Sequence, residues 1–149
     1  MASALPTGPR RASPPSVVLA ILTVSDGYAL QLRDNSPAIA LPGHWSLFGG
    51  AIDEDESAPA AVRREIREEL SLDVTEWRDL WRVRYYVPFW DAVILHRIFA
   101  ADVSGVWESH QLREGQAAGV FPIDRLPEPM PPIASALLER YHAEQRSQR

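Results

Sequence analysis

The sequence predicts one domain of α/β or α+β type, a mixed sheet flanked by helices. Three observations carry that expectation. Strand-like apolar runs lie on both sides of a helix signal that opens at Ser57, and a second amphipathic stretch follows Pro131-Pro132. The chain of 149 residues is also long enough to build one proper core. The opening fifteen residues, MASALPTGPRRASPP, are rich in Ala, Ser and Pro and hold no apolar h-region. They read as a disordered lead-in (1–15), leaving 16–149 as the domain.

Val17 to Val24 is an unbroken apolar run with β-branched residues, as a strand covered on both faces requires. Ser25-Asp26-Gly27 signals a tight turn, and Tyr28 to Arg33 alternates as the returning strand. Asp34 to His44, with two prolines and a glycine, reads as an exposed loop. Trp45 to Phe48 is a short extended piece that leads into Gly49-Gly50. Ser57 is the expected N-cap of a helix running to about Leu70, with Pro59 in the first turn, where proline does least harm. Leu80 to Val87 and Ala92 to Ala100 read as two strands joined by a turn at Pro88 to Asp91. Val120 to Ile123 adds an edge strand, confined there by Pro122. Ile133 to Glu144 is the closing helix, with Ile133, Leu137, Leu138 and Tyr141 on one stripe.

Composition excludes several chemistries. The chain has no cysteine, so it has no disulfide, thiolate zinc site or Cys nucleophile. All fifteen basic residues are arginine, which removes any Walker-type phosphate loop or Schiff-base lysine. A net charge of −5 argues against a nucleic-acid partner. No apolar run approaches membrane-spanning length, so no membrane partner and a cytoplasmic location are expected. A small polyphosphate ligand stays open, because a bound cation can reverse the local sign.

The chemistry concentrates between Gly50 and Leu72, GAIDEDESAPAAVRREIREELSL. With Glu65 set at zero, a turn of about 100° per residue places Glu69 near +40° and Glu68 near −60°. Ile66 and Leu70 fall near about +100° and +140°, a packing face. Arg63 and Arg67 point away from the carboxylates. Three acids on one face repel by about 0.2–0.5 kcal/mol per i,i+4 pair. A divalent cation held by oxygen ligands turns that repulsion into attraction.

These residues resemble the Nudix family. Its signature runs Gly, five residues, Glu, seven residues, Arg-Glu, an aliphatic, any residue, Glu-Glu, any residue, Gly, aliphatic. Gly50, Glu56, Arg64, Glu65, Ile66, Glu68, Glu69 and Leu72 match it, and Ser71 stands where the signature has its late glycine. The resemblance implies an α/β/α sandwich and Mg²⁺-dependent, or Mn²⁺-dependent, hydrolysis of a phosphoanhydride in a small nucleotide. It implies that Glu65, Glu68 and Glu69 ligate metal, with Glu68 bridging ions, and that the carbonyl of Gly49 adds a ligand. Glu56 and Arg64 are implied to be a structural ion pair beside Gly50. Glu114, in Arg113-Glu114-Gly115-Gln116, is expected as a further metal ligand or water-activating carboxylate, with Glu108 the weaker competitor. Relatives often form homodimers.

Outside the signature, Arg33 is expected near substrate phosphate, with Arg82 and Arg84 weaker candidates of the same kind. Trp45, Tyr86, Phe89 and Trp90 are read first as core aromatics and second as base-stacking groups. His44 and His96 have no partner spacing and read as loop and packing residues. Ser71 is expected to need a left-handed backbone, which costs a non-glycine residue about 1 kcal/mol. A non-catalytic nucleotide-binding regulator on the same fold is the alternative to an enzyme.

Overall fold

A computed structural model describes residues 14–148, so the expected lead-in lies outside the described residues apart from Pro14 and Pro15. Strand β1 (Val17–Val24) forms the middle of a seven-stranded sheet. Its side chains alternate as the period of a pleated strand demands. Val18, Ala20 and Leu22 enter one core, whereas Leu19 and Ile21 face the other.

Strand β2 (Gly27–Leu32) returns antiparallel but pairs with β1 only from Leu22↔Ala29 to Val24↔Gly27. Beyond that point the two strands diverge. The segment holding β3 (Trp45–Ser46) and β4 (Phe48–Ala51) fills the gap. Its first half pairs with β2 at Gln31↔Ser46, and its second half pairs with β1 from Val17↔Ala51 to Ala20↔Phe48. The paired glycines therefore sit inside the sheet, anchored to the central strand.

Helix α1 (Ala58–Leu70) starts where Ser57 accepts the Ala60 N–H at 3.2 Å on its Oγ. It buries Ala61, Val62, Ile66 and Leu70 against Val18, Leu22, Phe48 and Phe99. Strands β5 (Arg78–Val87) and β6 (Ala92–Asp102) follow, β6 running parallel to β1 from Val17↔His96 to Thr23↔Asp102. Helix α2 (Pro132–Ser147) covers the opposite face, packing Leu137, Leu138 and Tyr141 on Ile21, Leu30, Leu47 and Ile98. One parallel pair among antiparallel ones makes the sheet mixed. The two helices make it an α/β/α sandwich. Among the described residues no helix is long and apolar enough to cross a membrane.

Three expectations change. Strand β7 occupies Ala117–Phe121 instead of residues 120–123. Ala-Ala-Gly carries little β-propensity of its own, and the ladder to β2, Leu32↔Ala117 through Tyr28↔Phe121, imposes the strand. Strand β5 begins at Arg78 and β6 reaches Asp102, both longer than their apolar runs. Tyr86, Phe89 and Trp90 are exposed at the β5–β6 hairpin and are not core, whereas Trp45 packs edge-on to Phe121.

Candidate active site

Arg64 organises the site. Its guanidinium forms a two-pronged pair with Glu56, Nε to Oε2 at 2.7 Å and Nη2 to Oε1 at 2.9 Å. Nη2 also donates to the Ala51 carbonyl at 3.0 Å, tying the helix to the end of β4. Glu56 in turn accepts the Asp53 N–H at 3.0 Å, which closes the loop between strand and helix. The Arg64 hydrogen bond holds the Glu56 carboxyl below the ordinary value. Glu56 and Arg64 thus form an ion pair. Arg64 also reaches further than expected, donating through Nη1 to Glu65 at 2.9 Å and Glu68 at 3.2 Å.

Glu65 lies over Gly50. A Cβ on Gly50 would stand 2.5 Å from the Glu65 carboxyl carbon, so only glycine lets the carboxylate settle there. Burial raises the Glu65 pKa; Arg64 opposes that rise, and the charges of Glu68 and Glu114 add to it.

Glu69 is 3% exposed, the most enclosed of the three acids. Its angular position, nearest the Ile66–Leu70 stripe, explains the burial. One oxygen accepts the Gly49 N–H at 3.1 Å and the other accepts Gln31 Nε2 at 3.4 Å. Burial pushes its pKa well up, and Glu65 and Glu114 push it further. Gln31 is itself 2% exposed, a partner of Glu69 absent from the residues expected at the site. The signal was a lone amide amid the apolar residues of Tyr28 to Leu32.

Glu68 is the accessible acid of the helix, its side chain 50% exposed. Glu114, also exposed, arrives from the loop after the 3₁₀ turn Trp107–Ser109. It lies near enough that Glu65 and Glu69 both feel its charge. Four carboxylates from α1 and one distant loop therefore share one electrostatic environment.

A model of the NUDIX domain matches residues 13–141. The chain belongs to the NUDIX family. It is 39% identical over 72 residues to the nucleoside triphosphatase NudI of Salmonella agona (strain SL483), a match over 44% of this chain and 51% of that relative. The chain thus spans about half the length of that relative. The MutT NUDIX hydrolase of Burkholderia pseudomallei superposes with a TM-score of 0.72 at 26% identity, covering 85% of this chain and 97% of that one. The NUDIX domain of Shewanella oneidensis NrtR, in complex with ADP ribose, gives 0.74 at 22% identity over 91% and 90% of the two chains and supports the fold.

Within this Nudix domain the expected outlying residues fall in different places. Arg33 follows directly on β2 but spends its Nε on the Ala40 carbonyl at 2.7 Å, holding the 34–44 loop. Arg82 and Arg84 are exposed on β5, three strand spacings from β4, or about 14 Å across the sheet. Glu108 lies in the 3₁₀ turn and contributes to none of the raised carboxylates. His44 bonds its own loop at the Pro42 carbonyl, and His96 is buried and stacked on Tyr85 at 3.8 Å. Neither joins the acids.

Hard oxygen donors on one rigid helix suit a divalent cation such as Mg²⁺ or Mn²⁺. Among the described residues, no three acidic or histidine side chains stand together in ligating geometry. Arg64 draws oxygens of Glu65 and Glu68 towards itself. The donor set fits the cation in its chemistry, and the side chains of Glu68 and Glu114 are exposed.

Proposed function

We propose that this chain is a Mg²⁺-dependent Nudix pyrophosphohydrolase that cleaves a phosphoanhydride bond in a small nucleotide. Glu65 seated over Gly50 and Glu69 bonded to Gly49, with Glu68 and Glu114 close enough for their charges to bear on Glu65, carry the reading. Mutual repulsion in a half-buried site is relieved when cations take up the negative charge. Glu65, Glu68, Glu69 and Glu114 would hold Mg²⁺ or Mn²⁺, with the Gly49 carbonyl as a further donor. The cation supplies charge neutralisation of the polyphosphate and lowers the pKa of water.

The remaining work falls to the chain. Arg64 fixes the loop between β4 and α1 through Glu56 and sets the rotamers of Glu65 and Glu68. Glu69 is pinned by Gly49 and Gln31, so the helix cannot rotate away from the strand. Glu114 presents a carboxylate that ligates or takes a proton from the attacking water. Water oxygen bonds to phosphorus, the bridging oxygen leaves with its electron pair, and the water proton passes to base. The terminal nitrogens of Arg33 are left to meet substrate phosphate. The substrate class we favour is nucleoside triphosphates or nucleoside diphosphate derivatives, as the name of the Salmonella relative supports.

The test is product mass across a panel of nucleoside triphosphates, nucleotide sugars and ADP-ribose, with Mg²⁺ and with chelator. Cation-dependent release of a nucleotide product is expected. Binding across the panel without hydrolysis would leave a regulator and overturn the proposal.

A further inference from the structure

Glu114 reaches the carboxylate face from a loop, so something outside regular structure must hold it in place. Two anchors do so. On one side, Gln116 donates its main-chain N–H to the Leu32 carbonyl at 2.8 Å and its side chain to the Arg33 carbonyl at 2.9 Å. On the other, the N–H groups of Gln111 and Arg113 donate to the Leu70 and Glu69 carbonyls at 2.9 and 2.8 Å. Those carbonyls belong to the last turn of α1, where no helical donor serves them.

One side-chain contact completes the second anchor. Arg113 Nε donates to Ser71 Oγ at 2.8 Å, while Arg113 Nη2 donates back to Gln111 at 3.0 Å. Ser71 holds the left-handed backbone, φ 58° and ψ 32°, that ends the helix. A glycine would take that conformation with less strain but would offer no hydroxyl. The positive guanidinium also sits at the helix C-terminus, where the helix dipole favours it.

We propose that Ser71 and Arg113 form a clamp that positions Glu114 against the carboxylate face of α1. The strain of a non-glycine at this cap is offset by a contact beside the residue to be placed. Ser71 and Arg113 are positioning residues; the clamp's effect on turnover rests on the function proposed above, and its effect on the loop does not.

The experiment compares Ser71→Ala, Ser71→Gly, Arg113→Met and the Ala/Met double variant with the parent chain. Amide hydrogen exchange reads the loop, and kcat and KM read the chemistry. Each single variant should speed exchange at the hydrogen-bonded amides of Gln111 and Arg113 and lower kcat about tenfold with KM held within about twofold. The double variant should lose no more than either single, because one contact is removed twice. Ser71→Gly should melt higher and yet turn over more slowly, a combination that a purely structural role does not give. Ser71→Asn, which tolerates the left-handed backbone and offers an amide oxygen, should restore both readouts. Unchanged exchange in Ser71→Ala and Arg113→Met overturns the clamp. Faster exchange with unchanged kcat overturns its positioning of Glu114. A parent chain that hydrolyses nothing overturns the proposed function, and exchange alone then decides the clamp.

Discussion

Glu69 is a carboxylate placed where water barely reaches, held by one amide N–H and one glutamine. Burial raises its pKa above the ordinary 4.5, so the folded state binds this proton more tightly than the unfolded chain does. Without cation, stability should therefore fall as pH rises from about 4.5 through the raised folded value, and level off above it. Glu65 adds a smaller slope of the same sign. Thermal unfolding in chelator should show a Tm that declines over this range. Glu69→Gln should flatten most of it, and equal slopes in the two proteins would contradict the account. Arg64 acts through its pairing with Glu56, whose carboxyl it holds below the ordinary value. Arg64→Ala strands Glu56 and Glu65 and should cost about 2–3 kcal/mol by denaturant unfolding, discounted for the 24% exposure of the arginine side chain. A loss under about 0.5 kcal/mol would mean the ion pairs are surface contacts only. The exposed Arg63–Asp73 and Arg67–Asp73 pairs belong to that weaker class.

At the scale of elements, β4 brings the site together, and its two glycines do so differently. A Cβ on Gly49 would meet the Val18 carbonyl oxygen at 2.0 Å, and backbone in a paired strand has nowhere to move. Gly49→Ala should cost about 3 kcal/mol in stability. A Cβ on Gly50 meets only the end of the flexible Glu65 side chain. Gly50→Ala should leave the melting temperature nearly unchanged but displace that carboxylate, so Mg²⁺ affinity falls about tenfold by calorimetric titration. Equal effects of the two substitutions on stability would show that neither glycine is there for the carboxylate. The helix and strand cores were legible because Ser57, the apolar run of β1 and the Ile66–Leu70 stripe each agree with their final environment. Strand β7 was misplaced because a ladder, not local propensity, forms it. Gln31 and the wider reach of Arg64 were not legible, since each depends on how a distant element closes over it.

Over the whole molecule, the sheet separates two cores with different duties. The α1 side carries the acids, and the α2 side, around Ile21, Leu30 and Leu138, carries none of them. Leu138→Ala, at a fully buried position, should lower unfolding free energy by about 2–5 kcal/mol and leave kcat of the folded protein unchanged. A drop in kcat at a temperature where the variant is fully folded would show that α2 bears on the site. The candidate site spans β4, α1 and the 110–116 loop. Its helical part could be read from spacing, while the approach of Glu114 required the β2–β7 pairing that carries its loop past the end of the helix. The account turns on Glu68, the accessible acid of that face. Steady-state turnover of Glu68→Gln with Mg²⁺, on a substrate the parent chain hydrolyses, tests it most directly. The account predicts kcat lower by about a hundredfold or more, with unchanged circular dichroism and melting. Near-parental turnover in the folded variant would contradict it.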